Sequence, residues 1–378
     1  IRTFRANFTF LSLSALRTCG ARATLSAYLA GFAIFHLVCG PLADRYGRKP
    51  VITSGTLLFV LGCVGCSLAT TVEELLLYRF LQGVGACVGP TLARTITRDL
   101  FGPRRAARAL SLIAMLMALA PAVAPSLGGL LMLVFPWPSI FIFLGVYGAL
   151  VVLLVQRYLG ESLPAPQSLH PRTILRNYST LLRSGPFMTV VTSSSLVYAG
   201  LMVYLASSGF VYLEMLNVPV LYFGPIFLTT VAGYISGSAL SARLAGRLES
   251  PRVLLLGTVL AAAASVCMGA AATVFPHSVL ALMLPMMLYT AGLGLTLPHA
   301  MSLALLPYPQ MAGTASALLG FIQMAIAAAA GALVSLFLVD SPRPMLVSMA
   351  LLALAALALG QKVRRLHFTV PEQAPQRQ

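Results

Sequence analysis

Charge is scarce in this chain and acid scarcer still: 9% of its 378 residues are charged, with nine Asp and Glu against 25 Lys and Arg. A water-soluble domain of this length carries about a quarter of its residues as charges, so that class is excluded. The acids are Asp44, Glu73, Glu74, Asp99, Glu161, Glu214, Glu249, Asp340 and Glu372, and each falls in a connection or at the end of an apolar run. Cysteine is too sparse for a disulfide scaffold, and Cys39, Cys63, Cys66, Cys87 and Cys267 lie inside apolar runs, leaving only Cys19 outside them. Cys63-x-x-Cys66 has no acid or His beside it and reads as packing rather than as a redox or metal pair, so no metal site is assigned. A G-x-x-x-x-G-K phosphate cradle is missing, which removes nucleotide hydrolysis as an energy source, and no cofactor is expected. Nor is there a Ser/His/Asp arrangement outside the apolar runs. The chain is not read as an enzyme.

What the sequence has in abundance is apolar length, with 58% hydrophobic residues and a mean hydropathy of +0.89. A helix crossing the hydrocarbon core needs about 20 mostly apolar residues. By apolar length and charge placement, eleven spans are expected, at 25–43, 51–70, 75–97, 109–133, 139–156, 186–208, 218–242, 252–273, 278–300, 312–339 and 344–361. Basic residues mark alternate connections: Arg45, Arg48 and Lys49; Arg98, Arg104, Arg105 and Arg108; Arg157, Arg172, Arg176 and Arg183; Arg243, Arg247 and Arg252; Lys362, Arg364 and Arg365. These faces are cytoplasmic by the positive-inside rule, so the net charge of +16 reports topology and not nucleic-acid binding. By the same alternation the connection at 301–311 is cytoplasmic, although it carries no charge and only Pro307 and Pro309 as turn signals.

The organisation expected from these runs has five parts. Residues 1–24 are atypical: they hold Arg2, Arg5, Arg17 and Arg22, and their apolar run from Phe8 to Leu16 is too short to span, so a fragment or a shifted reading frame upstream of about Thr24 is the expectation. Residues 25–156 form an N-terminal helical bundle and 186–361 a C-terminal one. Between them 157–185 is a cytoplasmic linker, whose portion from Arg172 to Arg183 is either an interfacial helix or a solvated loop. Residues 362–378 are a cytoplasmic tail ending in a polar, disordered stretch.

Three motifs carry a family resemblance. Gly40-Pro-Leu-Ala-Asp44-Arg45-Tyr-Gly47-Arg48-Lys49 packs four charges and two glycines between two apolar runs. It resembles the loop motif G-x-L-x-D-R-x-G-R-K of the major facilitator superfamily, with every position filled. Arg79-Phe-Leu-Gln82-Gly83-Val-Gly85 resembles the superfamily's R-x-x-Q-G-x-G motif. The stretch with Pro121, Pro125, Gly128 and Gly129 resembles the antiporter motif, with Ala124 where the general pattern has Gly, as in the bicyclomycin and chloramphenicol resistance (Bcr/CflA) subfamily. The resemblance implies an all-α integral membrane protein of the major facilitator fold, with two bundles of nominally six spans each, the first span missing or garbled here. It further implies a monomeric, proton-coupled antiporter that exports small apolar or cationic drugs across the bacterial inner membrane. The alternative is a truncated, non-transporting remnant or accessory membrane protein.

Roles for individual residues follow from position and type. Gly40, Asp44, Arg45, Gly47, Arg48, Lys49 and Asp99 form the gating set, and the resemblance implies an Arg48–Asp99 pair that latches the outward-facing state; the alternative is a solvated turn obeying charge topology. Arg79, with Gln82 and Gly83, is a charge one turn inside a span, placed to govern proton release or substrate binding unless it snorkels to the outer headgroups. Pro121, Pro125, Gly128 and Gly129 make a hinge in which glycines admit a close neighbour. His36, and less so His299, is the titratable group inside a span in place of a carboxylate, or else a hydrogen-bonded packing residue. Tyr28, Arg94, Tyr198, Tyr204, Tyr234 and Gln323 are cavity candidates by type.

Overall fold

The apolar runs fold as helices almost throughout. The computed structural model describes residue 24 and residues 27–163, 166–168, 170–337 and 341–366. The atypical segment ahead of Thr24 and the polar tail beyond residue 366 lie outside the described residues. In chain order the helices are α1 (Ala27–Tyr46), α2 (Arg48–Leu68), α3 (Val72–Ala86), α4 (Val88–Val134), α5 (Pro138–Tyr158), α6 (Pro171–Arg183), α7 (Gly185–Gly209), α8 (Val220–Leu244), α9 (Ser250–Val274), α10 (Val279–Leu305), α11 (Ala312–Phe337) and α12 (Arg343–Arg365). Among the described residues nine segments are long and apolar enough to cross a membrane. The expected span at 109–133 is helical as well, within α4, and that at 218–242 is helical from Val220 onward, in α8.

The expected boundaries need correction in one region. A break was anticipated between 97 and 109, yet α4 runs for 47 residues straight through that basic stretch. Charge there signals departure from the apolar layer, but a helix satisfies its own amides in water and has no need to stop. The chain breaks instead at Cys87, inside the expected span 75–97, where α3 hands over to α4 through one residue. The start of α3 is fixed by a capping box: Thr71 Oγ1 accepts from Glu74 N at 3.2 Å, and Glu74 Oε2 accepts from Thr71 N at 3.3 Å. Acid at that helix start also complements its dipole.

The linker resolves in favour of a helix. In α6 the His170 side chain accepts from Arg172 N, Leu181 is buried, and Leu175 and Leu182 are exposed. An exposed apolar rim on a basic helix suits the membrane interface. Exposed large residues on α5, including Ile142, Val146 and Leu153, likewise mark a lipid-facing wall.

Packing gathers around three cores. The largest joins C-terminal helices through Val197, Tyr204, Met286, Tyr289 and Met349. A smaller one joins α1, α2 and the start of α4 through Cys39, Ala43, Val51, Val88 and Leu92. The third, with Leu181, Phe187, Leu303 and Leu319, sits at the basic end, where Leu37 of α1 packs against it. Contacts of α4 with α8, α10 and α11 tie the two halves together.

Close helix approach depends on a few glycines. A Cβ on Gly83 would collide with the Tyr28 carbonyl oxygen of α1, whereas one on Gly89 or Gly128 would meet nothing within 4 Å. Close approach therefore requires a glycine at Gly83 and not, among the described residues, at Gly89 or Gly128. Gly83→Val should force α1 from α3 and destabilise the protein by about 1–3 kcal/mol. Gly89→Ala should be neutral or slightly stabilising. Unfolding of the purified variants in detergent measures both.

Candidate functional site

The loop motif folds into a buried charge cluster. Arg48, at the first position of α2, is fully buried; its Nη2 lies 3.1 Å from Asp44 Oδ1, its Nε 3.2 Å from Asp99 Oδ2, and its Nη1 donates to Ala43 O at 2.9 Å. Arg98 Nη1 reaches the other Asp99 oxygen at 3.4 Å, and Arg98 Nη2 donates to Leu306 O at 3.3 Å. Asp44 also crosses to the other half: its Oδ1 accepts from Gly313 N at 3.0 Å, and its Oδ2 from Thr314 N at 2.7 Å and Thr314 Oγ1 at 2.6 Å. A carboxylate thus closes the N-terminus of α11, where free amides and the helix dipole favour negative charge. The contact is tight because Gly40 lies against Gly313, with only 2.6 Å from a Cβ at Gly40 to the Gly313 carbonyl oxygen.

The turn itself is held by an acid that the sequence reading left without a role. Glu161 Oε1 accepts from Arg48 N at 2.9 Å and Oε2 from Lys49 N at 3.2 Å, capping α2 from the α5–α6 connection. Gly47 between the helices has φ +104, which favours glycine, and a Cβ there would strike Glu161. Lys49 Nζ donates to Gln156 O at 3.1 Å, while Arg45 is exposed. The uncharged 301–311 connection joins the same end, since Arg98 donates to Leu306 O and Tyr308 Oη donates to Ser184 Oγ at 2.7 Å.

One turn deeper, a polar ladder continues between the halves. Buried Arg94 donates from Nε to Ser316 Oγ at 3.0 Å and from Nη2 to Ser316 O at 3.3 Å, and Nη2 lies 3.4 Å from His36 Nε2. Ser316 Oγ donates to Thr91 O at 2.9 Å. His36, Arg94 and Ser316 therefore meet where α1, α4 and α11 converge. Ser316, Gly313 and Thr314 carried no signal in the sequence: small residues on an apolar run look like packing.

Arg79 lies elsewhere. Its Nη1 donates to Gln82 Oε1 at 2.6 Å, Gln82 Nε2 donates to Cys63 Sγ at 3.0 Å, and its guanidinium lies over the rings of Tyr28 and Phe141 at 5.0 and 5.6 Å. A half-buried cation is thus stabilised by ring faces, without a carboxylate among the described residues. Cys63 of the Cys-x-x-Cys pair takes part as an acceptor.

Two cavities lie between the halves. One of about 500 Å³ is walled by α1 (Leu29, Phe32, His36), α7 (Met202) and α11 (Phe321, Met324). These residues sit beyond the charge cluster along α1 and α11, so this cavity lies towards the end opposite the basic one. A second, of about 270 Å³, includes Met117, Tyr198 and Tyr234. Tyr204 lies in neither: it is buried in the C-terminal core, donating to Tyr212 Oη at 3.2 Å, because its ring packs inward from α7. Gln323 is buried on α11 and lines neither cavity. His299 is buried at the basic end of α10, its Nδ1 3.0 Å from Ser250 Oγ. Pro121, Pro125, Gly128 and Gly129 lie within the unbroken α4 helix; the surroundings of Pro121, Pro125 and Gly129 lie outside the described residues.

Among the described residues the chain is almost wholly helical, with charge-clustered loops and a cleft between two sets of helices, an architecture that suits a membrane transporter. The sequence profile of the Major Facilitator Superfamily matches residues 6–332, and the chain belongs to that family. It is 35% identical over 300 residues, 79% of this chain and 75% of the relative, to the Multidrug resistance protein MdtL of Escherichia coli O157:H7. It is 27% identical over 337 residues, 86% and 82% of the two chains, to a Bicyclomycin resistance protein homolog of Haemophilus influenzae. Its fold matches that of the transporter FucP in the outward conformation with a TM-score of 0.77 at 14% identity, covering 92% of this chain and 90% of the other.

Glu161 makes a pH prediction. Burial disfavours its charge, but backbone N–H groups of Arg48, Leu163, Lys49 and Ser162 outweigh that and hold its pKa below the usual 4.5. A depressed carboxylate stabilises the fold fully above 4.5 and loses that contribution as pH falls through the lowered value. Glu161→Gln should therefore cost about 1 kcal/mol or less at neutral pH, because the carboxylate is exposed, and the gap to wild type should close in acid. Unfolding midpoints of both proteins from pH 7 to pH 3 measure it.

Proposed function

We propose that this transporter is a proton-coupled antiporter, active as a monomer, that exports small apolar or cationic drugs across the bacterial inner membrane by alternating access. The observation that carries the reading is the Asp44 bridge: a lock between α1 and α11 at the basic, cytoplasmic end, with a cavity on the far side of it. In this reading the bundles 25–156 and 186–361 rock about the cavity, joined by the 157–185 linker. The lock closes the cytoplasmic side and makes this the outward-facing arrangement. Export of drugs is supported by the similarity to multidrug and bicyclomycin resistance proteins and by the Pro121–Gly129 stretch. Proton exchange rests on His36, the titratable group nearest the cavity, together with Arg79. Arg48 and Asp99 are gating residues, and no chemical step on a substrate is assigned.

The lock gives a charge-reversal test. Removing one partner of a buried ion pair costs about 3–5 kcal/mol, enough to shift a gating equilibrium by orders of magnitude. Arg48→Asp and Asp99→Arg should each abolish drug resistance conferred on an efflux-deficient bacterium, and the double reversal should restore part of it. Restoration is partial because Asp44 also pairs with Arg48. Absence of rescue in a stably folded double variant rejects the latch. Resistance that survives an uncoupler rejects proton coupling. If the wild-type chain gives neither resistance nor drug movement in proteoliposomes, the non-transporting reading stands instead.

A further inference from the structure

At the basic end a cavity of about 390 Å³ opens between the linker and the 301–311 connection, away from the cleft. Gln167, Arg176 and Asn177 form one wall, and Tyr308, Gln310 and Met311 the other. Arg176 is exposed, and neither its guanidinium nor the side-chain amides of Gln167, Asn177 and Gln310 have a protein partner among the described residues. No counter-ion comes from either wall, because the sequence holds no acid between Glu161 and Glu214 or between Glu249 and Asp340. The described acids of this end are committed elsewhere: Asp44 and Asp99 to Arg48, Glu161 to the start of α2, and Glu249 to Arg252 at 3.3 Å. A guanidinium and three carboxamides around an open cavity suit a phosphate, whose oxygens accept in pairs from arginine. The outward arc of α6 shows where phosphates are met. Arg172, Leu175, Arg176, Leu182 and Arg183 are all exposed and fall within roughly a third of a turn. Bulk water has no use for the two leucines and hydrocarbon rejects the three arginines; the headgroup layer takes both.

The geometry points to a phosphate-binding site in this cavity, filled by the headgroup of an anionic phospholipid or by free phosphate, that holds the cytoplasmic lock shut. Gln167 N donates to Asp44 O at 2.8 Å and Tyr178 Oη of α6 donates to Leu37 O, so the linker wall is tied to α1. Met311 directly precedes α11, whose Gly313 and Thr314 amides bind the Asp44 carboxylate. A phosphate gripping Arg176 on one wall and Gln310 on the other therefore clamps the two elements that the lock joins. By linkage the closed lock binds the phosphate more tightly, by the same factor with which the phosphate favours closure. The site is independent of what the protein carries, and its effect on the lock rests on the gating reading above.

Displacement of a fluorescent phosphatidylglycerol from the purified full chain in detergent tests the site, with phosphatidylglycerol, phosphatidylcholine and inorganic phosphate as competitors. Phosphatidylglycerol should compete about tenfold better than phosphatidylcholine, and Arg176→Gln should weaken it about tenfold. Arg183→Gln removes a charge from the same helix outside the cavity and should stay within about threefold of wild type. Competition by inorganic phosphate as well as by the lipid makes the free ion an occupant; competition by the lipid alone assigns the site to the headgroup. Equal competition by the two lipids overturns the inference, as does unchanged affinity in Arg176→Gln or an equal loss in Arg183→Gln, which marks diffuse surface charge. The wild-type preference between lipids decides the matter even if a variant fails to fold. Amide hydrogen exchange over residues 312–316 reads the lock, and in wild type phosphatidylglycerol should slow it about threefold relative to phosphatidylcholine. In Asp44→Asn the lipid should still bind and that protection should vanish. Binding without protection in wild type overturns the clamp. A chain that binds and is protected but moves no drug in proteoliposomes loses the export reading and keeps the site.

Discussion

One carboxylate holds the two halves of this protein together at the basic end. Asp44 neutralises Arg48 and, with the same two oxygens, closes the amide end of α11. Each job alone is ordinary. Together they support the burial of Arg48, whose guanidinium has no exposed surface, and Asp99 supplies a second anion. They also mean that α11 cannot move away without leaving Asp44 with unpaired oxygens and weakening its hold on the arginine. Gly40 and Gly313 are the steric counterpart: with a larger side chain at either position the carboxylate could not reach the helix end.

Around that bond the other contacts fall into a hierarchy of strength. Glu161 fixes the entry of α2 from outside, in a site open to water where its charge is screened. Arg98 is intermediate, linking Asp99 to the carbonyl of Leu306 and so bringing the uncharged 301–311 connection to the same end. The deeper Arg94 ladder has no carboxylate among the described residues and relies on neutral acceptors. A lock built this way is strongest where it is buried and ionic and weakest at its solvated rim.

How much of this was legible in the sequence differs by kind of interaction. Helix existence was readable because the bilayer imposes length on every apolar run. The Arg48–Asp99 partnership was readable from the resemblance of the loop motif, and His36 and Arg94 from the rarity of such groups inside apolar runs. Three things were not. The unbroken α4 was hidden because charge density and helix ends need not coincide. Tyr204 was placed with the cavity by residue type, although which side of a helix faces a cleft is decided by partners that no single helix reveals. The anion-binding end of α11 was invisible because backbone amides have no letter in the sequence: Gly313 and Thr314 matter through their N–H groups.

The stripes that make the lock also make the cavity floor. On α1, His36, Gly40 and Asp44 follow one another at intervals of four, on successive turns of one face. On α11, Gly313, Ser316 and Gly320 answer them in reverse order, Gly313 against Gly40 and Asp44, Ser316 against Arg94, and Gly320 against His36. Helices this regular do not bend between neighbouring turns, so separating Asp44 from the α11 amides also draws Gly320 from the imidazole and Ser316 from Arg94. The reverse holds as well: whatever alters the contact at His36 acts, through about two turns of rigid helix, on the bond at Asp44. Linkage requires that any ligand bearing on the first equilibrium shift the second by the same free energy. Occupancy of the cavity and integrity of the lock are therefore two readouts of one interface.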